Sequence, residues 1–257
     1  MRVVVKVGTS TLTHATGRLN IRHVETLCKV LSDIKNAGHE LVLVSSGAIG
    51  MGVGKMNMTE RPVDMPTKQA MAAIGQCELM YVYDQLFSEY SHVVAQILLT
   101  GEDLSDDKRH RNFINTILRL LELGVLPIIN ENDTVATEEV AVGDNDTLGA
   151  LVSESVRADL LIILSDIDGL YTANPRLDPT ARLIPLVREL SPEILAAAGG
   201  KGSALAIGGM ATKLNAAAIC MQAGTDMVIV NGERPEILYE VMEGAAIGTR
   251  FIGRKST

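Results

Sequence analysis

The sequence predicts an α/β fold, a three-layer αβα sandwich in which helices cover both faces of a mainly parallel sheet. Two observations carry this: short β-branched runs recur between amphipathic helical stretches, and each run soon gives way to Gly, Asn, Ser or Asp. That alternation is the signature of βαβ units, whose crossovers lay helices over the sheet. With 257 residues, 47% of them apolar and 21% charged, the chain can bury a sizeable core and is too poorly charged to stay disordered.

Six runs read as buried strands of ordinary length: Val3 to Val7, Glu40 to Ser45, His92 to Leu98, Val125 to Asn130, Leu160 to Ser165 and Met227 to Val230. Between the first two, Ile21, Val24, Leu27, Cys28, Leu31 and Ile34 fall at helical spacing, and Gly38 stands where a helix stop is expected. Further helices are predicted over Thr67 to Glu89, Arg111 to Leu123, Thr147 to Val156 and Met210 to Ala223. Alternating Val135, Thr137, Val140 and Val142 predict a hairpin over Thr134 to Val142, projecting from the sheet as a flap on the substrate side. No linker or repeat divides the chain, yet a second set of motifs begins after about Ala158. One domain with two lobes on a continuous sheet is expected, residues 1–157 on the substrate side and 158–257 on the nucleotide side.

A net charge of −8 without any run of Lys or Arg argues against nucleic-acid binding, which depends on clustered cations. An acidic protein also repels anionic substrates, so a phosphate site must draw its potential from a few placed lysines and helix N-termini. Cys28, Cys77 and Cys220 are widely spaced with no CxxC pair, suggesting neither disulfides nor zinc, and all three are expected to be buried and inert. The chain opens directly on the strand-like Arg2 to Val7, has no signal-peptide pattern and no apolar run near the ~18 residues of a membrane span. No membrane partner and a cytoplasmic location are expected.

The candidate chemistry lies at the expected carboxyl ends of strands, where open α/β sheets bind ligands. Lys6 sits inside the first strand, costly unless paired or aimed into a site, and Gly8-Thr9-Ser10 follows as a turn that a phosphate can approach closely. Ser45-Ser46-Gly47-Ala48-Ile49-Gly50 offers small residues where a helix would begin on an anion. Asn130-Glu131-Asn132-Asp133 and Gly143-Asp144-Asn145-Asp146 cluster amides and carboxylates fit for an amino acid's ammonium and carboxylate groups; helix capping by Asp144 or Asn145 is the plainer alternative for the second cluster and is compatible with binding. Ser165-Asp166-Ile167-Asp168-Gly169 and the polar loop through Arg176 form a turn able to hold a nucleotide. Gly208-Gly209-Met210-Ala211-Thr212-Lys213 is a glycine-rich helix entry with a lysine one turn inside, a geometry that suits phosphate. There is no G-x-x-x-x-G-K-[ST], so this is not a P-loop protein, and Gly50-Met51-Gly52-Val53-Gly54 lacks the dinucleotide context.

Taken as an ordered set from Arg2 to about Phe251, these motifs resemble the amino acid kinase family, with Gly-Asp-Asn-Asp at 143–146 and Gly-Gly-Met-Ala-Thr-Lys at 208–213 the most discriminating. The match is strongest to the members that phosphorylate the side-chain carboxylate of L-glutamate at the start of proline synthesis. The resemblance implies a carbamate kinase-like fold, ATP and Mg2+ as cofactors, proline as feedback inhibitor and a homo-oligomer, dimer or tetramer. It implies that Lys6 and Lys213 stabilise the transferring phosphoryl group while Asp146 orients both. Ser46, Asp133 and Asn145, with Gly47, Ala48 and Asp144 alongside, match glutamate-binding positions. Lys6, Gly8, Ser165, Asp166 and the stretch Gly209, Met210, Ala211, Thr212 and Lys213 match nucleotide positions.

Many bacterial members carry a C-terminal PUA domain; with the sequence running to Thr257, none is expected here. Kinases for acetylglutamate, aspartate, carbamate or UMP remain alternatives, although Gly8-Thr9 replaces the Gly-Gly usual in two of them. A non-catalytic amino-acid sensor is the other alternative, and it has no need of Lys6, Asp146 and Lys213.

Overall fold

The apolar runs become strands because both of their faces are covered. A computed structural model describes residues 1–14, 16, 18–136, 142, 144–175, 177–197 and 209–254. The chain runs β1 (Arg2–Val7), α1 (Thr9–Leu12), α2 (Ile21–Asn36), β2 (Glu40–Ser45), α3 (Ala48–Lys55), α4 (Met65–Ser88), β3 (Val94–Leu99), α5 (Gly101–Ser105) and α6 (Asp107–Glu122). It continues through β4 (Leu126–Glu131), α7 (Asn145–Ser155), β5 (Leu160–Ser165), β6 (Leu186–Val187), α8 (Pro192–Ala197), α9 (Met210–Ala223), β7 (Asp226–Asn231), α10 (Ile237–Met242) and β8 (Thr249–Phe251). The strands form one sheet in the order β3-β4-β2-β1-β5-β7-β8-β6, parallel throughout except between β7 and β8.

Side chains on a strand alternate between faces. Val3, Val5 and Val7 of β1 therefore pack under α2, α4 and α10 with Leu43, Ile128 and Ile162, while Val4 packs with Ile129, Leu161 and Ile163 under α6, α7 and α9. Burying each of these side chains contributes roughly 1.5–3 kcal/mol. The same alternation puts Lys6 on the face of Val4, under α7 and α9.

Helix starts follow their caps rather than the onset of apolar periodicity. The Asp64 carboxylate accepts from Thr67 N at 2.9 Å, with Pro66 tolerated in the first turn, so α4 begins at Met65 rather than Thr67. Asp106 accepts from Lys108 N and Arg109 N and starts α6 at Asp107, four residues before the predicted Arg111. The helix start read at 45–50 is that of α3; the elements absent from the sequence reading, α1, α5, α8, α10, β6 and β8, are short, and a short element shows too few turns for periodicity to register. Gly38 does end α2, with φ at +93°.

One expectation needs correction. Cys28 and Cys220 are buried, with burial pushing both thiols up, Cys220 to about 12. Cys77 is exposed, because the buried stripe of α4 runs through Met71, Ala72, Gly75, Gln76, Leu79, Tyr83 and Phe87 and leaves position 77 outside it. The predicted hairpin over Thr134 to Val142 begins as a turn, Val135 N and Ala136 N donating to Asn132 O at 3.1 and 3.0 Å; positions 137–141 lie outside the described residues, as do Gly143, Arg176 and Gly208. Among the described residues no helix is long and apolar enough to cross a membrane.

Candidate active site

From β1 the chain moves to β2 on one side, and later places β5 on the other. Such a change of direction opens a crevice at the carboxyl ends of the strands. Gly8 and Ser46 follow β1 and β2, Asn130 and Ser165 lie near the ends of β4 and β5, and the first turns of α7 and α9 close the crevice from one helical layer.

The charged group at its centre is compact. Lys6 Nζ lies 2.6 Å from Asp146 Oδ1, a close ion pair rather than a well-angled hydrogen bond. Lys213 Nζ donates to Asp146 Oδ2 at 3.0 Å, and Thr212 Oγ1 is also 3.0 Å from Oδ2. All three charged side chains are at most 10% exposed. Burial pushes the Asp146 carboxyl up, but the ammonium groups of Lys6 and Lys213 outweigh it and hold the carboxyl below its ordinary range. Two ammoniums against one carboxylate leave a net positive charge facing the crevice of an acidic protein.

Local structure delivers these groups. Asp144 caps α7, its Oδ1 accepting from Asp146 N at 2.8 Å and Thr147 N at 2.9 Å, as the capping reading of that cluster expects. Successive helical residues diverge by roughly 100°, so α7 presents Asp146 to the lysines and Asn145 to the neighbouring cavity. Gly149, one turn on, passes 3.5 Å from Lys6 Cβ when a Cβ is imagined on it, and lets α7 lie directly over the lysine stem. Gly209 caps α9 at φ +75°, a conformation that glycine adopts freely; a Cβ there would stand 3.7 Å from Lys213 Nζ. Gly8 flanks the other ammonium in the same way, 3.6 Å from Lys6 Nζ. The first N–H groups of α9, which have no partner within the helix, thus sit beside a cation.

Beside the charged group lies a cavity of about 350 Å³ lined by Ser46, Gly47, Ala48, Asp133, Asp144 and Asn145. These are all six of the substrate positions expected from the sequence. Asn130 and Glu131 line it too, as do Arg61 and Lys68, which the sequence reading did not name. Glu131 and Asn130 stood in the Asn-Glu-Asn-Asp cluster and were within reach of the sequence, whereas Arg61 and Lys68 carry no motif. Burial and the nearby Glu131 carboxylate push Asp133 up to about 6. Burial also raises Glu131, partly offset by Val142 N, which donates to Oε1 at 2.6 Å. None of the five histidines lines this cavity.

On the other side of the lysines, Ser165 is buried at the end of β5 and its Oγ donates to Asp166 at 3.3 Å, while Asp166 is exposed. Gly8 approaches this strand, its imagined Cβ 3.9 Å from Leu164 O. Gly232 N donates to Ser165 O at 2.7 Å and ties the end of β7 to the same corner. The positions that the resemblance assigns to a nucleotide therefore gather along the ends of β1 and β5 and the entry of α9, opposite the cavity.

The sequence profile of the Amino acid kinase family matches residues 1–231. The glutamate 5-kinase of Caldanaerobacter subterraneus subsp. tengcongensis is 52% identical over 256 residues, spanning 100% of this chain and 69% of that protein. The glutamate 5-kinase of Clostridium perfringens is 51% identical over 258 residues, spanning 99% of this chain and 96% of that protein. Among solved structures, carbamate kinase from Giardia lamblia bound to AMP-PNP superposes with a TM-score of 0.71 at 20% identity, covering 98% of each chain, a likeness of fold. On the strength of this profile match and of relatives half identical over its whole length, the chain belongs to the amino acid kinase family.

Proposed function

We propose that the protein transfers the γ-phosphoryl group of ATP to the side-chain carboxylate of L-glutamate, forming γ-glutamyl phosphate and ADP at the start of proline synthesis. The observation that carries this reading is the Lys6–Asp146–Lys213 group, one residue along α7 from a cavity with a polar, acid-rich lining. Its relatives of half-identical sequence are named for that reaction.

Phosphoryl transfer asks for alignment and for cations on the charge between nucleophile and leaving group. A carboxylate oxygen of glutamate bonds to the γ-phosphorus as the bond from phosphorus to the β,γ-bridging oxygen breaks, and ADP leaves. The nucleophile is ionised at neutral pH, so no general base is needed. Lys6 and Lys213 stabilise the transferring group from two sides, and Asp146 holds their ammoniums in place. Ser165, Asp166, Gly8 and residues 209–213 hold the nucleotide; the exposed Asp166 carboxylate suits a sugar hydroxyl rather than a phosphate. Among the described residues no three His, Cys, Asp or Glu side chains gather around a metal position. Magnesium needs few protein ligands when it rides on phosphates, whose charge it neutralises, and we assign it to the nucleotide.

In the cavity, Glu131, Asp133 and Asp144 answer an ammonium group, and Arg61 and Lys68 supply cations for the α-carboxylate. An acetylated amino group would forfeit the first of these attractions, which favours free glutamate over acetylglutamate. Proline shares the ammonium and α-carboxylate and would compete for the same lining. Trapping the acyl phosphate with hydroxylamine tests the reading: hydroxamate should form with L-glutamate and Mg-ATP well above acetylglutamate or L-aspartate. Preference for either of those substrates would overturn it.

Asp133 gives a pH signature. Ionised, it attracts the substrate ammonium; protonated, it does not. With its carboxyl raised to about 6 in the free protein, the KM for glutamate should be flat above that pH and climb as pH falls through it, about tenfold per pH unit in the limit. Asp133→Asn should remove the pH dependence and raise KM at pH 8, and a profile unchanged by the substitution would discard the role.

A further inference from the structure

One residue far along the chain from every motif reaches the substrate cavity through a chain of side-chain hydrogen bonds. Gln76 lies on the buried stripe of α4 and is 7% exposed. Its Oε1 accepts from Asn130 Nδ2 at 2.9 Å; Asn130 Oδ1 accepts from Asn145 Nδ2 at 3.0 Å; and Asn145 Nδ2 also donates to Ser46 Oγ at 2.7 Å. Nothing else in the described structure shows why a glutamine should occupy this apolar stripe.

The direction of every bond in this chain is determined by two backbone groups. Glu131 N, which can only donate, bonds Asn130 Oδ1 at 2.9 Å. Ser45 O, which can only accept, lies 3.3 Å from Asn145 Nδ2. Asn130 must therefore turn its NH2 to Gln76, and Gln76 must answer with its carbonyl. Asn145 must turn its NH2 inward, leaving its carbonyl Oδ1 for the cavity that it lines. Ser46 Oγ accepts from Asn145, so its own hydroxyl hydrogen is free to donate into the cavity.

We infer that Gln76 is a positioning residue for the substrate, setting Asn145 Oδ1 as an acceptor for the ammonium group and the Ser46 hydroxyl as a donor to a carboxylate. This rests on the glutamate reading above. Gln76 is held in register because α4 and α3 touch backbone to backbone beside it: a Cβ on Gly75 would fall 1.7 Å from Ala48 O. Ala48 opens α3, immediately after Ser46 and Gly47, so the contact that places Gln76 also places the cavity wall.

Calorimetric titration with L-glutamate, steady-state kinetics and thermal unfolding of Gln76→Met and Gln76→Glu test the inference. Methionine removes the acceptor at similar volume, and glutamate affinity should fall tenfold or more while the KM for Mg-ATP stays within twofold. Gln76→Glu keeps an acceptor oxygen facing Asn130 and should restore glutamate affinity to within about threefold of the unsubstituted protein. Equal glutamate affinity in Gln76→Met, or equal losses in both variants while both remain folded, would overturn the relay. Absence of any glutamate binding by the unsubstituted protein would overturn the functional reading and the relay with it. Should Gln76→Met not fold, Asn145 provides the same test. Asn145→Asp faces two fixed acceptors and should bind glutamate more weakly than Asn145→Ala, whereas the opposite order, favouring the isosteric carboxylate, would refute the assigned polarity.

Discussion

Replacing Lys213 by methionine should lower turnover by roughly 10²–10³-fold, about 2.7–4 kcal/mol of transition-state stabilisation, while leaving the KM for glutamate within a few fold. The ammonium is buried beside Asp146 and next to the glycine entry of α9, away from the cavity proposed to take the amino acid. Its charge matters most when negative charge spreads over the transferring phosphoryl oxygens, a situation absent from the ground state, so the effect should fall on kcat. Methionine retains the stem's packing. Asp146 keeps Lys6 as its partner at 2.6 Å, so the fold should survive, and thermal unfolding will separate a catalytic loss from a structural one. A loss below tenfold in a folded variant would remove Lys213 from the chemistry.

Asp146→Asn should be the most destabilising substitution in the site. It leaves two ammoniums, on side chains 10% and 7% exposed, facing each other with no anion between them. Removing one partner of a buried ionic group costs about 3–5 kcal/mol, a large share of the ~5–15 kcal/mol that holds a typical domain together, and should lower the melting temperature by roughly 10 °C. Adding Lys213→Met to Asp146→Asn should recover part of this by removing the repulsion, a coupling that a double-mutant cycle measures directly. The acid side of the stability curve offers a second check. Asp146 is depressed in the folded protein, so its contribution is complete above the unfolded carboxyl range near 4 and is lost as pH falls through the lower folded value. The variant should lack that acid-dependent loss. Melting temperatures that agree within 2 °C would show that the two lysines do not depend on this carboxylate.

Much of the fold was legible because strand and helix periods are local. The strands at 40–45 and 160–165 and the helix at 210–223 fall where the apolar pattern and flanking residues place them. The errors cluster where local signals compete or fade. Caps at Asp64, Asp106 and Asp144 pull helix starts upstream of the apolar periodicity. At Cys77, thiol type suggested burial, but helical phase decided otherwise. Within the site, Gln76 left a faint trace, a polar side chain on an otherwise apolar stripe, which gains meaning only once Asn130 is known to lie opposite.

By itself, the sequence determined the layered α/β architecture, the glycine turns and the side-chain types of the candidate site, since each depends on spacing within a few residues. Only the tertiary structure decided which of those groups meet. Lys213 and Asp146 are 67 residues apart along the chain yet 3.0 Å apart in space. Strand order, the face to which Lys6 turns and the approach of α7 and α9 over that face bring them together. The physical reason is that a charge in a low-dielectric interior is tolerable only with its counterion, and which counterion reaches it is settled by packing of the whole sheet and its helices rather than by any local run of residues.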